Sequence, residues 1–235
     1  MNKKFNVYFH EFNLLLGSGG LIYLPYVSGI LAANAKKISK LKNNFNFQKF
    51  IFQPDLAENI KKNNYKDKPN IACFSISIWN EQLSLKIAKY LKEKYNCLIV
   101  FGGPSCPHNP TEYFEKNKFI DVAIRSEGED AFNEILLNYL SGNESFSDIP
   151  NVAYRDKDTD KCVINTTKLS FNRNLDVYPS PYLTGEYDYI IDKSDDGHFH
   201  AIVETNRGCP FLCTYCYWGR GGSNTKYRFH SLERV

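Results

Sequence analysis

Apolar positions along the first part of the chain switch repeatedly between two spacings. Runs in which apolar residues alternate or follow one another, as in strands, occupy residues 5–9, 45–52, 70–77, 97–101 and 120–124. Helical spacing separates these runs at residues 27–38, from residue 54 or 55, after Asn80 and at 129–140. Parallel strands need crossover connections, which helices supply. The pattern therefore predicts an α/β fold with a doubly wound parallel sheet.

The ligands of a doubly wound sheet bind beyond the carboxyl ends of its strands. Four predicted turns fall at those ends, at residues 16–29, 75–80, 102–107 and 125–130, and hold most glycines and serines of this region. Glycine lets the backbone come close to a ligand, so these turns are the candidate ligand site. The alternative is that their glycines only form turns.

Two further segments follow the predicted sheet. Residues 151–169 predict a hairpin, with strands at 152–155 and 162–166 around a charged turn. Residues 170–199 have the proline and glycine content of a linker, in which Tyr178 and Tyr182 could pack across a domain boundary. The predicted organisation is an α/β domain at 1–145, a hairpin and linker at 146–199, and the start of another domain at 200–235.

Composition excludes several classes of partner. Lysine plus arginine number 29 and aspartate plus glutamate 26, so the net charge of +3 gives no argument for nucleic-acid binding. The apolar runs fall short of the ~18–20 residues of a membrane span. The first residues lack the apolar core and cleavage site of a signal peptide. We therefore expect a cytoplasmic protein.

Seven cysteines, three of them clustered, fit a reducing compartment better than a disulfide framework. Cys73 and Cys97 lie in strand-like runs and are expected to be inert core residues. The sequence assigns no role to Cys106 or Cys162.

The clustered cysteines, Cys209, Cys213 and Cys216, have the spacing C-x3-C-x2-C and follow an alternating, strand-like segment at residues 200–205. Structural zinc sites use four ligands, usually in paired C-x2-C motifs. A [4Fe–4S] cluster held by three cysteines leaves one iron open for an exogenous ligand. The spacing favours such a cluster, with a zinc knuckle or incidental cysteines as the alternative.

This stretch resembles the cluster loop of the radical S-adenosylmethionine (SAM) superfamily. Tyr215 matches the aromatic residue before the last cysteine, and the residues from Glu204 to Gly208 are similar to the end of the first barrel strand. The resemblance implies that the open iron binds SAM, with Tyr215 near the adenine, and that a (β/α) barrel begins here. An α/β domain, a linker and this loop, in that order, resemble the cobalamin-binding radical SAM proteins, whose first domain is flavodoxin-like.

The second resemblance implies cobalamin over the strand ends. The contacts carried over from matching motifs are Tyr26, Gly29, Ser75, Ser77, Gly102, Gly103, Glu127 and Gly128. Trp79 is either an aromatic wall beside the corrin or a cap on the core.

The register of Tyr26 departs from one known pattern. Cobalamin proteins that ligate cobalt from below carry Asp-x-His-x-x-Gly, where this chain has Leu24, Tyr26 and Gly29. Neutral tyrosine is a poor cobalt ligand, so we expect no histidine axial ligand. The alternative is an ordinary tyrosine at a helix start, in a domain that has lost its cofactor.

The resemblance as a whole implies part of a cobalamin-dependent radical SAM enzyme, first of all a methyltransferase, with a [4Fe–4S] cluster, SAM and cobalamin. Its partners would be a small-molecule or peptide substrate and an electron donor such as flavodoxin or ferredoxin. The alternatives are a radical SAM cyclase or oxidoreductase, a methylthiotransferase, and a non-catalytic corrinoid-binding module. Later barrel strands that hold SAM are missing from these 235 residues, so we expect a fragment or a truncated product, incomplete for catalysis alone.

Overall fold

Seven strands form one sheet, and the side chains of its inner strands are buried on both faces. The computed structural model describes residues 4–14, 22–53, 65–107, 109–143, 145–167, 171–192, 199–211, 213–216 and 227–235. The strands are β1 (Phe5–His10), β2 (Ile22–Tyr23), β3 (Phe45–Phe47), β4 (Ile71–Ser75), β5 (Leu98–Gly102), β6 (Val122–Ile124), β7 (Val152–Arg155), β8 (Cys162–Ile164), β9 (Phe199–His200), β10 (Asn206–Arg207) and β11 (Arg228–Phe229). The helices are α1 (Tyr26–Lys36), α2 (Ser39–Asn44), α3 (Glu81–Tyr95), α4 (Thr111–Lys116), α5 (Glu129–Ser141) and α6 (Asp188–Ile191), with a 3-10 helix at Leu175–Val177.

The main part of the sheet is parallel, in the order β3-β1-β4-β5-β6, and β7 and β8 continue it antiparallel from β6. In register, Val7 of β1 lies beside Phe47 and Ile71, and Ser75 of β4 lies beside Gly102. The chain builds outward from β1 first to β3 and then to β4, which puts the switch point between β1 and β4. The predicted flavodoxin-like, doubly wound α/β class is confirmed.

Two apolar layers cover the sheet. Val7 and Phe9 of β1 face a layer that contains Phe132 of α5. Tyr8, between them, faces the opposite layer, which contains Leu91 of α3. A parallel sheet is normally buried on both faces in this way. Burial on both faces explains why the strands read as nearly continuous apolar runs.

The elements differ from the predicted ones at several places. The second predicted strand is shorter, because β3 ends at Phe47 and Ile51 makes only an isolated bridge with His10. Helices α2 and α4 have six residues each and are not predicted, since fewer than two turns show little periodicity. The expected helix from residue 54 or 55 lies outside the described residues. The predicted hairpin is confirmed as β7 and β8, and it joins the sheet.

The predicted strand at 200–205 is wrong. Regular pairing occurs at β9, which lies parallel to β2, and at β10, which lies antiparallel to β11, whereas residues 201–205 form no strand. Alternating side chains do not make a strand without a neighbour for its ladder hydrogen bonds. Within the described residues no barrel is formed, and the start of one stays a prediction. No helix in the described part of the chain is long and apolar enough to span a membrane.

Candidate functional site

A cavity of ≈ 470 Å³ lies at the carboxyl ends of β4, β5 and β6, between the sheet and helices α1 and α5. Its apolar floor includes Phe9, Ile30, Cys73, Val100, Ile124 and Phe132. Polar groups stand around its rim, among them Ser28, Ser75, Ser126 and Glu127. An apolar pocket with a few polar groups is the usual composition of a small-molecule site, and this is the edge at which doubly wound sheets bind ligands.

The two glycines of the turn after β5 have different roles. Gly103 has a φ of +99°, and a Cβ there would lie 2.6 Å from the carbonyl oxygen of Ile76 and 2.7 Å from its nitrogen. The same turn is tied to Ile76, whose N–H donates to the Gly102 carbonyl. At Gly102 an added Cβ would meet nothing closer than Ile124 at 3.8 Å, so this position opens toward the cavity. Gly103 thus shapes the turn, and Gly102 leaves space for a ligand.

Glu11, which the sequence analysis did not single out, holds the start of α1 in place. Its carboxylate accepts hydrogen bonds from the N–H groups of Val27 (3.3 Å) and Ser28 (2.7 Å) and from the Ser28 hydroxyl (2.8 Å). Val27 and Ser28 line the cavity. Burial raises the pKa of Glu11 to about 7, although these hydrogen bonds favour the charged form. Its position directly after a buried strand is the sequence signal that could have identified it.

Tyr26, at the first position of α1, lines the cavity and reaches across to the last part of the chain. Its hydroxyl donates to Glu204 at 3.2 Å, and its ring stacks on Tyr182 with centroids 6.5 Å apart. Burial, together with the neighbouring charge of Glu204, raises the pKa of Tyr26 well above its usual value. The phenol is therefore neutral. No histidine stands among the described residues that line the cavity.

One wall of the cavity is formed by Glu204, Asn206, Arg207 and Gly208, just before the first cysteine of the motif. The Arg207 guanidinium is 11% exposed and contacts three carboxylates. It lies 3.0 Å from Glu127, 2.5 Å from Glu129 and 3.0 Å from Glu204. Burial opposes the charge, but Glu129 and Glu204 outweigh it and raise the pKa of Arg207. Arg207 stays a cation that joins this wall to the turn between β6 and α5.

Arg228 and His230 extend the same cluster from the region of β11. Arg228 pairs with Glu127 and also donates to the carbonyl of Asn172 at 2.7 Å. The Nδ1 atom of His230 lies 3.0 Å from an oxygen of Asp176, and its Nε2 atom lies 3.7 Å from Glu204. Buried charges therefore hold the described residues around β10 and β11 against the turn between β6 and α5 and against the linker.

The linker supplies further contacts. The Tyr178 hydroxyl donates to Asp130 at 2.8 Å, and the Arg207 guanidinium lies 5.3 Å above the Tyr178 ring. The Tyr182 hydroxyl exchanges hydrogen bonds with the backbone of Ile202, both at 2.9 Å. Tyr178 and Tyr182 do pack between the α/β domain and the segment that follows.

The residues that the resemblance implied as cofactor contacts divide into two groups. Those that line the cavity are Tyr26, Ser75, Gly102, Gly103, Glu127 and Gly128. Those that do not are Gly29, Ser77, Trp79 and Tyr215. Ser77 donates its N–H to the side chain of Asn80, Trp79 is half-exposed and donates to the carbonyl of Phe12, and Tyr215 is exposed.

Gly29 faces the linker instead of the cavity. A Cβ at this position would lie 2.1 Å from the hydroxyl oxygen of Tyr187, 2.7 Å from its Cζ atom and 2.9 Å from the Cβ atom of Pro181. Tyr187 is 1% exposed and donates a hydrogen bond to the Pro25 carbonyl at 3.0 Å. The missing side chain of Gly29 therefore makes room for Tyr187.

The cysteines of the motif lie at the end of the cavity wall. Cys209, Cys213 and Cys216 are partly exposed free thiols, and the Cys216 N–H donates to the Cys213 carbonyl at 3.2 Å. Among the described residues, no three His, Cys, Asp or Glu side chains are grouped closely enough to hold a metal. Three thiols in this spacing still have the soft-ligand chemistry that an iron–sulfur cluster needs.

The cysteines outside the motif are unsuited to such a role. Cys73, Cys97 and Cys106 are buried. Burial raises the pKa of both Cys97 and Cys106 to about 12, and it raises that of Cys73 as well. These thiols stay protonated, as expected for inert core cysteines.

The sequence is similar to those of known enzymes, although no family model matches it. The cobalamin-dependent radical SAM methyltransferase TokK of Streptomyces tokunonensis is 34% identical over 220 residues, which cover 91% of this chain and 31% of TokK. The 2-(S-pantetheinyl)-carbapenam-3-carboxylate methyltransferase of Streptantibioticus cattleyicolor is 30% identical over 223 residues, 94% of this chain and 32% of that enzyme. Over more than 90% of its length the chain is therefore a relative of these two methyltransferases.

The fold agrees with that of a solved structure. The cobalamin-dependent SAM radical enzyme OxsB, with aqua-cobalamin and SAM bound, has a TM-score of 0.71 and 17% sequence identity, covering 99% of this chain and 30% of OxsB. The chain spans about a third of the length of the proteins that it matches.

Proposed function

We propose that this chain is the cobalamin-binding domain and cluster loop of a radical SAM methyltransferase. The observation that carries the proposal is the cavity at the strand ends, one wall of which leads directly into Cys209. A site for one cofactor and the ligand motif for another are therefore adjacent. The sequence similarity to two methyltransferases supports the reaction class.

The residues around the cavity fit a corrinoid. The Ser126 hydroxyl is buried at the rim and has no hydrogen-bond partner among the described atoms, so it is available to a ligand. Gly102 leaves the end of β5 open, and the floor is apolar. Bound here, cobalamin would supply a methyl group for transfer. Tyr26 stays neutral at the cavity edge, and we expect no histidine on cobalt.

Cys209, Cys213 and Cys216 would hold a [4Fe–4S] cluster, which would supply an open iron for SAM and an electron for its cleavage. The chain's own contribution is to bind the thiolate loop beside the cavity, through Glu204 and Arg207. The substrate class is a small molecule, in line with the carbapenam named for one relative. An electron donor such as flavodoxin or ferredoxin would be the protein partner.

The cluster part of the proposal is tested by anaerobic reconstitution with iron and sulfide. We expect one [4Fe–4S] cluster per chain, lost in Cys213→Ala. Cys162→Ala is the matched control, because it removes a partly exposed cysteine outside the motif. Full iron content and an unchanged spectrum in Cys213→Ala would contradict the assignment.

The corrinoid part is tested by titration with hydroxocobalamin, followed by electron paramagnetic resonance of the Co(II) form. We expect saturable binding of one corrinoid and no nitrogen splitting from a protein imidazole. Absence of binding would contradict the corrinoid site. Nitrogen splitting from histidine would contradict the role given to Tyr26 alone.

A further inference from the structure

Arg207 stands between the two sites that the proposed function requires. It lines the cavity, and it precedes the first cysteine of the motif by two residues. Its five N–H donors form a rigid fork. The Nε atom donates to Glu204 at 3.0 Å, one terminal nitrogen to Glu127 at 3.0 Å, and the other to Glu129 at 2.5 Å and to Glu204 at 3.0 Å.

The carboxylates that meet at Arg207 come from two places in the fold. Glu204 belongs to the segment that leads into the cysteine motif, whereas Glu127 lies in the turn between β6 and α5 and Glu129 begins α5. All three residues also line the cavity. Arg228 also reaches Glu127, and the Nε2 atom of His230 lies 3.7 Å from Glu204. Without Arg207, the carboxylates of the two segments would repel each other.

We propose that Arg207 is a positioning residue that couples the cofactor cavity to the cluster loop, so that a corrinoid in the cavity and a cluster at the cysteines stabilise each other's binding. This inference rests on the proposed function. A corrinoid that orders the turn between β6 and α5 also fixes Glu127 and Glu129. Through Arg207 they fix the segment before Cys209, and the energetic effect must be reciprocal.

The test measures the dissociation constant of hydroxocobalamin twice, with the reconstituted cluster present and with the cysteines empty. The variants are Arg207→Met, which keeps length but removes charge, and Arg207→Lys, which keeps charge but loses the fork. Arg173→Met is the matched control, since it removes an exposed arginine. The spectroscopic readout is the electron paramagnetic resonance spectrum of the reduced cluster, recorded before and after the corrinoid is added.

In the unaltered chain and in Arg173→Met, we expect the cluster to tighten corrinoid binding by about tenfold, within the usual range of coupling between sites. The cluster spectrum should change when the corrinoid binds. In Arg207→Met the ratio of the two dissociation constants, measured without and with the cluster, should fall to about 1, and the spectral change should disappear. Arg207→Lys should give an intermediate ratio. If Arg207 had a purely structural role, its substitution would weaken the binding of both groups without changing this ratio.

The two proposals fail in different ways. If the unaltered chain binds both groups but its ratio is 1, or if Arg207→Met keeps the full ratio, the coupling is overturned and the proposed function stands. If the unaltered chain binds no corrinoid, the proposed function is overturned, and the coupling with it.

Discussion

Gly29→Ala tests whether the linker, and not a cofactor, requires the glycine of α1. The added Cβ would lie 2.1 Å from the Tyr187 hydroxyl oxygen and 2.7 Å from Cζ, contacts that real Cβ atoms do not make. Tyr187 must move, at a cost of about 1–3 kcal/mol for overpacking. Its hydrogen bond to Pro25 is lost, at about 1 kcal/mol. Alanine has a higher helix propensity than glycine, which offsets about 1 kcal/mol of this cost. The free energy of unfolding should therefore fall by roughly 2 kcal/mol.

The loss is measured by urea unfolding and by the melting temperature. At about 2–4 °C per kcal/mol for a chain of this size, Tm should fall by roughly 4–8 °C. Tyr187→Phe removes the atom that would lie nearest to the new Cβ. In that background, Gly29→Ala should cost at least about 1 kcal/mol less, a non-additivity expected only of residues in contact.

Gly142→Ala serves as the control, because its φ is +71° and an added Cβ would meet nothing within 4 Å. It should lose about 1 kcal/mol by backbone strain alone, with no rescue by Tyr187→Phe. A Gly29→Ala chain as stable as the unaltered one would refute the packing argument. If the chain with both Gly29→Ala and Tyr187→Phe bound hydroxocobalamin more weakly than Tyr187→Phe alone, Gly29 would be a cofactor contact after all.

Three further substitutions test the cavity and its edges. Gly102→Val should weaken hydroxocobalamin binding at least tenfold. The free energy of unfolding should change by less than about 1 kcal/mol, because an added Cβ meets its nearest neighbour only at 3.8 Å. Unchanged affinity would place the ligand elsewhere. Gly103→Ala should lose at least about 2 kcal/mol in urea unfolding, since its φ is +99° and the new Cβ would lie 2.6 Å from the Ile76 carbonyl. Burial raises the pKa of Glu11 from 4.5 to about 7, so the stability that its proton contributes is present below pH 4.5 and is lost as the pH rises through 7. The stability of Glu11→Gln relative to the unaltered chain should therefore increase over that range by up to about 3 kcal/mol, and a difference independent of pH would contradict the raised pKa.

The sheet could be predicted from the sequence because its strands are buried on both faces. Such strands have apolar side chains in succession, and the helices between them have a clear three-to-four spacing. The sequence could not show that the hairpin of β7 and β8 joins the edge of the sheet. The alternation of apolar and polar residues along a hairpin is the same whether it stands alone or adds to a sheet. Short elements such as α2 and α4 have too few residues to show a period.

The site could be predicted only in part, for a different physical reason. The glycine turn after β5 is local, so its residues are recognisable from the sequence alone. The charged cluster is not local: Arg207 meets Glu127 and Glu129 from 80 and 78 residues away, and Arg228 meets Glu127 from 101 residues away. Nothing in the spacing of single charges shows which pairs will be buried together. Glu11 is missed in the same way, because its partners are N–H groups of the next helix.

Matching motifs indicated turns that border the cavity but did not identify the partners of each residue. Glu127 lines the cavity as the resemblance implied, yet its carboxylate is already paired with Arg207 and Arg228. A substitution of Glu127 would therefore disturb the cavity rim and the attachment of the cluster segment together, and a loss of binding could not be assigned to either. Gly102 lines the cavity outside the charged cluster, whereas Arg207 pairs with Glu127, Glu129 and Glu204. Gly102→Val therefore changes the volume of the site without breaking an ion pair, whereas Arg207→Met breaks the ion pairs that attach the segment before the cysteine motif.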